Sequence, residues 1–209
     1  MLGQLRNKIS KYIEDYIGRP IAKTGIHPNH ITALSVPLAI VGAYYIYLNQ
    51  WSYALLFMIL SIFIDNIDGA VARVQKTVSN WGSYFDVMMD KHVEMIIYFG
   101  FAVGGYPILS FLAAVLTMLN SYAKPSTAIR IPIGNADWPA LGERADRLLI
   151  LLIGVLITIF YPILYGYDTI FLTLSAVIII CAIGDIQRMM FAKKLILNYE
   201  KTKKKQMVR

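Results

Sequence analysis

The chain has 209 residues, 57% of them hydrophobic and 16% charged, and its mean hydropathy of +0.54 is too high for a soluble domain. Its one cysteine, Cys181, excludes an internal disulfide bond. The net charge of +7 comes without a basic helix or an aromatic RNA-binding pattern, which argues against a nucleic-acid partner. The composition therefore indicates a helical membrane protein.

The N-terminal segment has an amphipathic pattern. Its apolar residues recur at helical spacing on one face: Leu2, Leu5, Ile9, Tyr12, Ile13 and Tyr16. The opposite face is charged and carries Lys8, Lys11, Glu14 and Asp15. This pattern predicts an amphipathic helix within residues 1–27 that lies in the membrane interface, with a soluble partner-binding helix as the alternative. Charges spread through the segment are not typical of a cleavable signal peptide.

Six apolar stretches follow, and each is long enough for a helix of ~20 residues to cross a bilayer. They cover residues 30–49, 51–73, 81–104, 106–122, 147–165 and 167–193. Pro28 and Asn29 provide a capped start for the first stretch. We therefore expect an all-α integral membrane protein with six transmembrane helices in a domain of residues 28–194. Residues 195–209 are expected to form a basic tail that contacts anionic headgroups.

The loops between these stretches differ in charge. Residues 49–50, 104–107 and 165–168 contain no Lys or Arg. The opposite connections carry Lys23, Arg73, Lys76, Lys124, Arg130, Arg144 and Arg147. Basic loops stay on the cytoplasmic side of a membrane. The pattern predicts a multi-pass protein of the cell membrane, with both termini and the basic loops in the cytoplasm.

Four aspartates interrupt the second and third apolar stretches: Asp65, Asp68, Asp86 and Asp90. An ionisable side chain at mid-bilayer costs roughly 2.5–3.5 kcal/mol, so four unpaired carboxylates would cost about 10 kcal/mol. Steps of three and four residues place each pair on one helix face. If the two helices pack as an antiparallel pair, the four carboxylates converge in one polar pocket.

The residues around these aspartates indicate what kind of ligand the site binds. Carboxylate oxygens suit hard divalent cations such as Mg²⁺ or Mn²⁺, and two such ions need about this many carboxylates. Gly69 and Gly82 leave the backbone bare, small Ala72 helps the same close approach, and Arg73 offers a fork for phosphate oxygens. Together they predict a diphosphate site. Helix packing through small residues is the structural alternative, but it explains neither the number nor the register of the aspartates.

Written as a pattern, the block reads D-x-x-D-G-x-x-A-R, eight residues, G, three residues, D, three residues, D. In this the chain resembles the CDP-alcohol phosphotransferases, with every position of the family motif filled. The resemblance covers nearly the whole chain and implies a homodimer. It also implies attack of an alcohol on the β-phosphorus of a CDP-linked lipid, with release of CMP.

The resemblance assigns roles residue by residue. Asp65, Asp68 and Asp86 would hold two Mg²⁺ or Mn²⁺ ions, and Asp90 would take the proton from the acceptor hydroxyl while touching the second ion. Contacts to the CDP-lipid would come from Pro28, Asn29, His30, Ile31, Gly69, Ala72, Arg73, Ser79 and Gly82.

Candidate acceptor residues lie further along the chain and are Lys124, Arg144 and Arg147. Their segments are similar to those of phosphatidylinositol-phosphate synthases, but Pro125 and Ser126 replace an Ala-Arg pair, and Arg130 is a candidate substitute for the lost arginine. Three cations favour an anionic acceptor, so we expect a phosphorylated polyol, foremost inositol phosphate. Glycerol phosphate and serine remain alternatives, as does the reading that these cations only obey the positive-inside rule.

A cation-coupled transporter and a scaffold are the rival interpretations from other classes. A transporter is expected to show repeat symmetry, whereas the charged cluster occurs once. Two polar features near the main pattern remain. Glu94, one turn past Asp90, either lines the acceptor cavity or pairs with a neighbouring helix, and Asp185 with Arg188 has the spacing of an intrahelical ion pair.

Overall fold

The computed structural model describes residue 12, residues 14–133 and residues 138–207, apart from the side chains of residues 65, 66 and 205–207. Most of the predicted apolar face of the N-terminal helix therefore lies outside the described residues, as does the side chain of Asp65. What is described of the N-terminal segment begins with a π-helical turn, Glu14–Gly18, and a short helix α1, Arg19–Ala22.

Six long helices follow at the positions of the six apolar stretches. They are α2 (Pro28–Tyr47), α3 (Trp51–Gln75), α4 (Asn80–Val103), α5 (Pro107–Ala128), α6 (Arg144–Phe160) and α7 (Thr169–Met207). Local signals explain their starts. Proline occupies the first position of α2 and of α5, Ser79 caps α4, and α6 begins with a capping box between Glu143 and Asp146.

The chain divides into two compact units, one ending at Gly105 and the other beginning at Tyr106. In the first unit α2 is the central helix, because it packs along both α3 and α4 while those two helices hardly touch each other. Gly100 of α4 allows this close packing. A Cβ at this position would lie 2.7 Å from the Cα of Ala43 in α2. Small residues at helix contacts are typical of membrane helix packing.

In the second unit α7 is the central helix and packs against α5 and α6. The contact between α6 and α7 is again close, since a Cβ on Gly154 would fall within 2.2 Å of the Thr173 side chain. Before α5, the hydroxyl of Tyr106 lies near the carboxylate of Asp168. Burial, and then this carboxylate, raise the pKa of Tyr106 well above its usual value.

A small hairpin before α7 departs from the expected all-α structure. Strands β1 (Ile163–Leu164) and β2 (Tyr167–Asp168) pair antiparallel. The two residues between them, Tyr165 and Gly166, have φ values of 52° and 82°, and positive φ at both positions is what a type I′ turn requires. Apart from these four strand residues, the regular secondary structure of the described residues is helical.

Three of the described helices are long and apolar enough to cross a membrane, namely α2, α3 and the part of α7 up to Lys204. Large apolar side chains such as Ile40, Phe63 and Ile183 are exposed on them. Such surfaces are rare on soluble proteins of this size. The fold is therefore that of a membrane-like helical protein.

Helix α7 continues well past the predicted end of the last apolar stretch at Lys193 and runs to Met207. The predicted basic tail, residues 195–209, is thus helical as far as it is described. Hydropathy ends the stretch at the first lysines, but no glycine or proline follows Gly184. Since lysine, glutamate and leucine are good helix formers, nothing in the sequence stops the helix there.

Candidate active site

The first unit contains a cavity of about 290 Å³ where the start of α2, the second half of α3 and the start of α4 come together. Its lining residues are Pro28, Asn29, Thr32, Asp68, Gly69, Ala72, Arg73, Thr77, Val78, Ser79, Gly82, Ser83 and Asp86. Nine of the predicted site residues are among them. Because α3 and α4 hardly touch, Asp68 and Asp86 do not meet in a direct contact between these two helices. They line a gap between the helices.

The start of α2 is fixed by its cap. The side chain of His27 accepts a hydrogen bond of 3.2 Å from the backbone N–H of Asn29, and Pro28 is buried at the first helical position. One turn later the hydroxyl of buried Thr32 donates a short hydrogen bond to Oδ2 of Asp68. This contact joins α2 to the carboxylate of α3.

Helix α3 supplies the middle of the cavity. Asp68 is only 6% exposed, and it lines the cavity. Gly69 leaves the adjacent backbone bare, and Nη1 of Arg73 lies 3.4 Å from where a Cβ on this glycine would be. The helix ends at Lys76, whose φ of 57° turns the chain toward α4. Arg73 thus extends over the bare backbone at Gly69.

Helix α4 begins at the cavity through the cap of Ser79, whose hydroxyl accepts a 3.0 Å hydrogen bond from the backbone N–H of Gly82. A Cβ on Gly82 would lie 3.2 Å from that hydroxyl and 3.6 Å from Oδ1 of Asn29. The missing side chain therefore keeps space between the two helix starts. Asp86, one turn further along, lines the same cavity.

Three of the predicted catalytic and CDP-lipid residues with described side chains, Asp90, His30 and Ile31, are not among the residues that line the cavity. Asp90 is half-buried on α4, one turn beyond Asp86. His30 is exposed, and Ile31 is half-buried beside it. Glu94 is buried and accepts a 2.6 Å hydrogen bond from Lys91, which lies on the same helix.

The cavity suits a hard divalent cation by the chemistry of its donors. Asp68 and Asp86 present carboxylate oxygens, and the other side-chain oxygens of the lining are those of hydroxyls and of the Asn29 amide. Among the described side chains no set of three or more His, Cys, Asp or Glu lies close enough together to hold a metal, and Asp65 is not among the side chains described. These oxygen donors are of the type that Mg²⁺ and Mn²⁺ prefer.

The second unit contains the three predicted acceptor cations in different settings. Lys124 is half-buried near the end of α5, and Arg144 is half-buried at the start of α6. Arg147 is only 1% exposed, and its Nη1 donates to the carbonyl of Gly142. The candidate substitute Arg130 is exposed and bonds to Ser126 in the preceding turn.

A further buried arginine, Arg188 of α7, is 6% exposed. Its Nη1 donates a 2.8 Å hydrogen bond to the carbonyl of Asn120, and its Nη2 lies 4.0 Å from Oε1 of Glu143. Its one described hydrogen bond therefore goes to α5, its ion pair is with the cap residue of α6, and it makes no ion pair with Asp185 among the described residues. Within the described part of the chain, Nε and Nη2 donate no hydrogen bond. Buried donors of this kind usually bond to protein or to ordered water.

Comparison with known proteins identifies the family. The profile of the CDP-alcohol phosphatidyltransferases matches residues 25–183. The chain belongs to this family. Membership makes it a transferase and removes the transporter and scaffold interpretations.

Similar proteins cover nearly the whole chain. It is 29% identical to the archaetidylinositol phosphate synthase of Pyrococcus horikoshii over 196 residues, which are 93% of this chain and 97% of that protein. The phosphatidylinositol phosphate synthase of Mycobacterium tuberculosis, solved with CDP-DAG bound, superposes with a TM-score of 0.72 at 20% identity, covering 84% of this chain and 93% of that one. The same enzyme in complex with manganese and citrate gives 0.72 at 19% identity, with 86% and 88% covered. These likenesses show a shared fold.

Two residues of this transferase were missed by sequence reasoning. Thr32 lies one turn after Pro28, so the helical period could have placed it on the same face as the cap. Its bond to Asp68 depends on how α2 packs on α3, which local spacing does not reveal. Arg188 was noticed only as a partner for Asp185. Its distance from Asn120 along the chain hid the true contact.

Proposed function

We propose that the chain transfers a phosphatidyl-type group from a CDP-linked lipid to inositol phosphate and releases CMP. The observation that carries this proposal is one cavity lined by Asp68, Asp86 and Arg73 with bare backbone at Gly69 and Gly82. Similarity to an archaetidylinositol phosphate synthase supports the acceptor. The CMP-release assay described below also tests whether the lipid is a diacylglycerol or its ether analogue.

The donor is proposed to bind in this cavity through its diphosphate. Arg73 would give charge-assisted hydrogen bonds to phosphate oxygens, and the two glycines would let the diphosphate approach the backbone. Other contacts are assigned to Pro28, Asn29, Ala72 and Ser79, which line the cavity, and to His30 and Ile31 beside it.

Two divalent ions, Mg²⁺ or Mn²⁺, are proposed to be held by four carboxylates: Asp65, Asp68, Asp86 and Asp90. When bound, such ions neutralise charge that builds up on a transferring phosphoryl group. The manganese complex of the structurally similar M. tuberculosis enzyme supports the use of a divalent ion. The carboxylate of Asp68 is oriented for the purpose by the Thr32 hydroxyl.

Asp90 is proposed as the general base. Its carboxylate would accept the proton of the acceptor hydroxyl as the acceptor oxygen bonds to the β-phosphorus of the donor. The bond between that phosphorus and the bridging oxygen breaks, and CMP leaves with the electron pair. The products are a phosphodiester-linked lipid and CMP, and the cavity residues contribute mainly by positioning.

The acceptor phosphate is proposed to bind to cations of the second unit. Lys124, Arg144 and Arg147 are the predicted contacts, and Arg188 joins them because two of its buried nitrogens donate no hydrogen bond within the described residues. An anion would supply the missing acceptors. Serine, a zwitterion without a phosphate group, would gain less from these cations.

The contact between Thr32 and Asp68 leads to a prediction about metal affinity. Thr32→Val is expected to weaken Mn²⁺ binding by about 10- to 100-fold, because side chains that orient a metal ligand typically have effects of this size. Thr32→Ser should bind nearly normally. Ser35→Ala is the matched control, since this buried hydroxyl bonds only to the Thr32 carbonyl. Isothermal titration with Mn²⁺ measures the effect, and equal affinities for Thr32→Val and wild type would contradict it.

Orientation in the cell membrane is also proposed. The domain of residues 28–194 is expected to cross six times with its active site at the cytoplasmic face, and contacts with membrane lipids extend to the interfacial segment, 1–27, and the tail, 195–209. Tyr165, 91% exposed, and Ile129, 78% exposed, lie in loops of opposite charge.

In intact cells, an impermeant thiol reagent should label Tyr165→Cys and spare Ile129→Cys. The native Cys181 is fully buried and gives little background. Labelling of Ile129→Cys alone would overturn the orientation.

The test of the proposed function is an acceptor screen. Purified protein, taken as the homodimer that the family implies, is mixed with CDP-diacylglycerol or its ether analogue and Mn²⁺. Inositol phosphate, glycerol phosphate and serine are then supplied one at a time, and CMP is measured. We expect CMP release with inositol phosphate. CMP release with serine alone would overturn the acceptor assignment, and no release with any acceptor would overturn the reaction.

A further inference from the structure

An ion pair joins the N-terminal segment to the arginine of the cavity. Nε of Arg73 donates a 3.1 Å hydrogen bond to Oε2 of Glu14. Arg73 lines the cavity, whereas Glu14 does not. Glu14 therefore contacts the arginine from outside the proposed diphosphate site.

The contact with Glu14 determines how the guanidinium of Arg73 is oriented. A guanidinium is planar and rigid, so fixing its Nε edge also fixes where its Nη atoms point. Here Nε faces Glu14, while Nη1 lies next to Gly69, 3.4 Å from the position of an added Cβ. Glu14 thus holds one edge of the group while another edge lies on the side of the cavity.

The segment that carries Glu14 is itself fixed on α3. Gly18 packs against the backbone of Ala70, where an added Cβ would lie 3.2 Å from the Ala70 side chain. Nε2 of Gln75 donates to the carbonyls of Ala22 and Ile26 at 3.3 Å and 3.0 Å. These contacts lie on both sides of Arg73 along α3. The packing of the N-terminal segment on α3 therefore holds the Glu14 carboxylate next to Arg73.

We infer that Glu14 is a positioning residue that sets the Arg73 guanidinium for the diphosphate of the donor. The inference rests on the proposed function, since it assumes that Arg73 binds the donor. It links the N-terminal segment to donor affinity, a role that neither the cavity lining nor the family motif assigns to residue 14. If the ion pair between Glu14 and Arg73 had no such role, removing the Glu14 carboxylate would leave donor binding unchanged.

The test compares the donor KM and kcat of Glu14→Gln with those of wild type, in CMP release at saturating acceptor. We expect the donor KM to rise about 3- to 5-fold, the size of effect that a partly exposed ion pair supports, with kcat nearly unchanged. Asp15→Asn is the matched control. It breaks the neighbouring surface pair with Arg19, 3.0 Å between Nη2 and Oδ1, and should leave KM unaltered.

A double-mutant cycle separates positioning from general folding effects. Lysine has no Nε–H edge of this kind, so Glu14→Gln should have no further effect on donor KM in an Arg73→Lys background. Additive effects would overturn the inference, as would an unchanged KM in Glu14→Gln. A lower KM would also overturn it by showing that Glu14 competes with the donor. If wild type itself releases no CMP, the proposed function has failed, and titration of CDP-lipid binding in the same variants decides the inference separately.

Discussion

Asp90→Asn is expected to lower kcat by about 100- to 10,000-fold while CDP-lipid binding stays close to that of wild type. Removal of a general base typically costs this much, and the amide keeps the shape of the side chain. Asp68→Asn is the informative contrast. It should weaken Mn²⁺ and CDP-lipid binding as well, because the buried Asp68 carboxylate lines the cavity.

Single-turnover assays and equilibrium binding of CDP-lipid measure the two effects separately. Glu200→Gln, a change at an exposed site far along α7, controls for loss of an acidic residue as such. Near-normal turnover in Asp90→Asn would remove this residue from the role of base.

Arg188→Gln is expected to raise the KM for inositol phosphate by about 10- to 100-fold and to leave the KM for CDP-lipid nearly unchanged. A charge-assisted hydrogen bond is worth ~1.5–3 kcal/mol, and each 1.4 kcal/mol is a factor of ten in affinity. Arg130→Gln removes an exposed cation that already bonds to Ser126 and should change neither value.

Arg147 is a less clean test of the same idea. Its guanidinium is 1% exposed and bonds to the carbonyl of Gly142, so Arg147→Ala should lower the melting temperature as well as acceptor affinity. An unaltered acceptor KM in Arg188→Gln would show that this arginine is structural.

The register of the aspartates could be predicted because it depends only on the helical period. Steps of four residues placed Asp68 and Ala72, Gly69 and Arg73, and Gly82 and Asp86 on the faces that line the cavity. Helix starts were also within reach, since Pro28, Ser79 and Pro107 carry local capping information. Family membership, inferred from the same motif, is confirmed by the profile match.

Contacts between residues far apart in the sequence could not be predicted. Asp185 lies three residues before Arg188 on the same helix. The Nη1 of Arg188 nevertheless donates to the carbonyl of Asn120, 68 residues away along the chain, because the buried guanidinium lies against α5. The bond between Thr32 and Asp68 likewise depends on α2 lying between α3 and α4. Hydropathy also ended the last helix too early, because it measures membrane preference and not helix propensity.

The central claim is that an alcohol attacks the β-phosphorus and CMP departs, and isotope transfer tests it most directly. CDP-diacylglycerol labelled with ³²P at the β-phosphorus is incubated with purified protein, Mn²⁺ and inositol phosphate, and lipid and nucleotide products are separated. We predict that all converted label appears in an inositol-phosphate lipid, with an equal amount of unlabelled CMP. Labelled nucleotide, or conversion that gives only phosphatidic acid with or without the acceptor, would contradict the account.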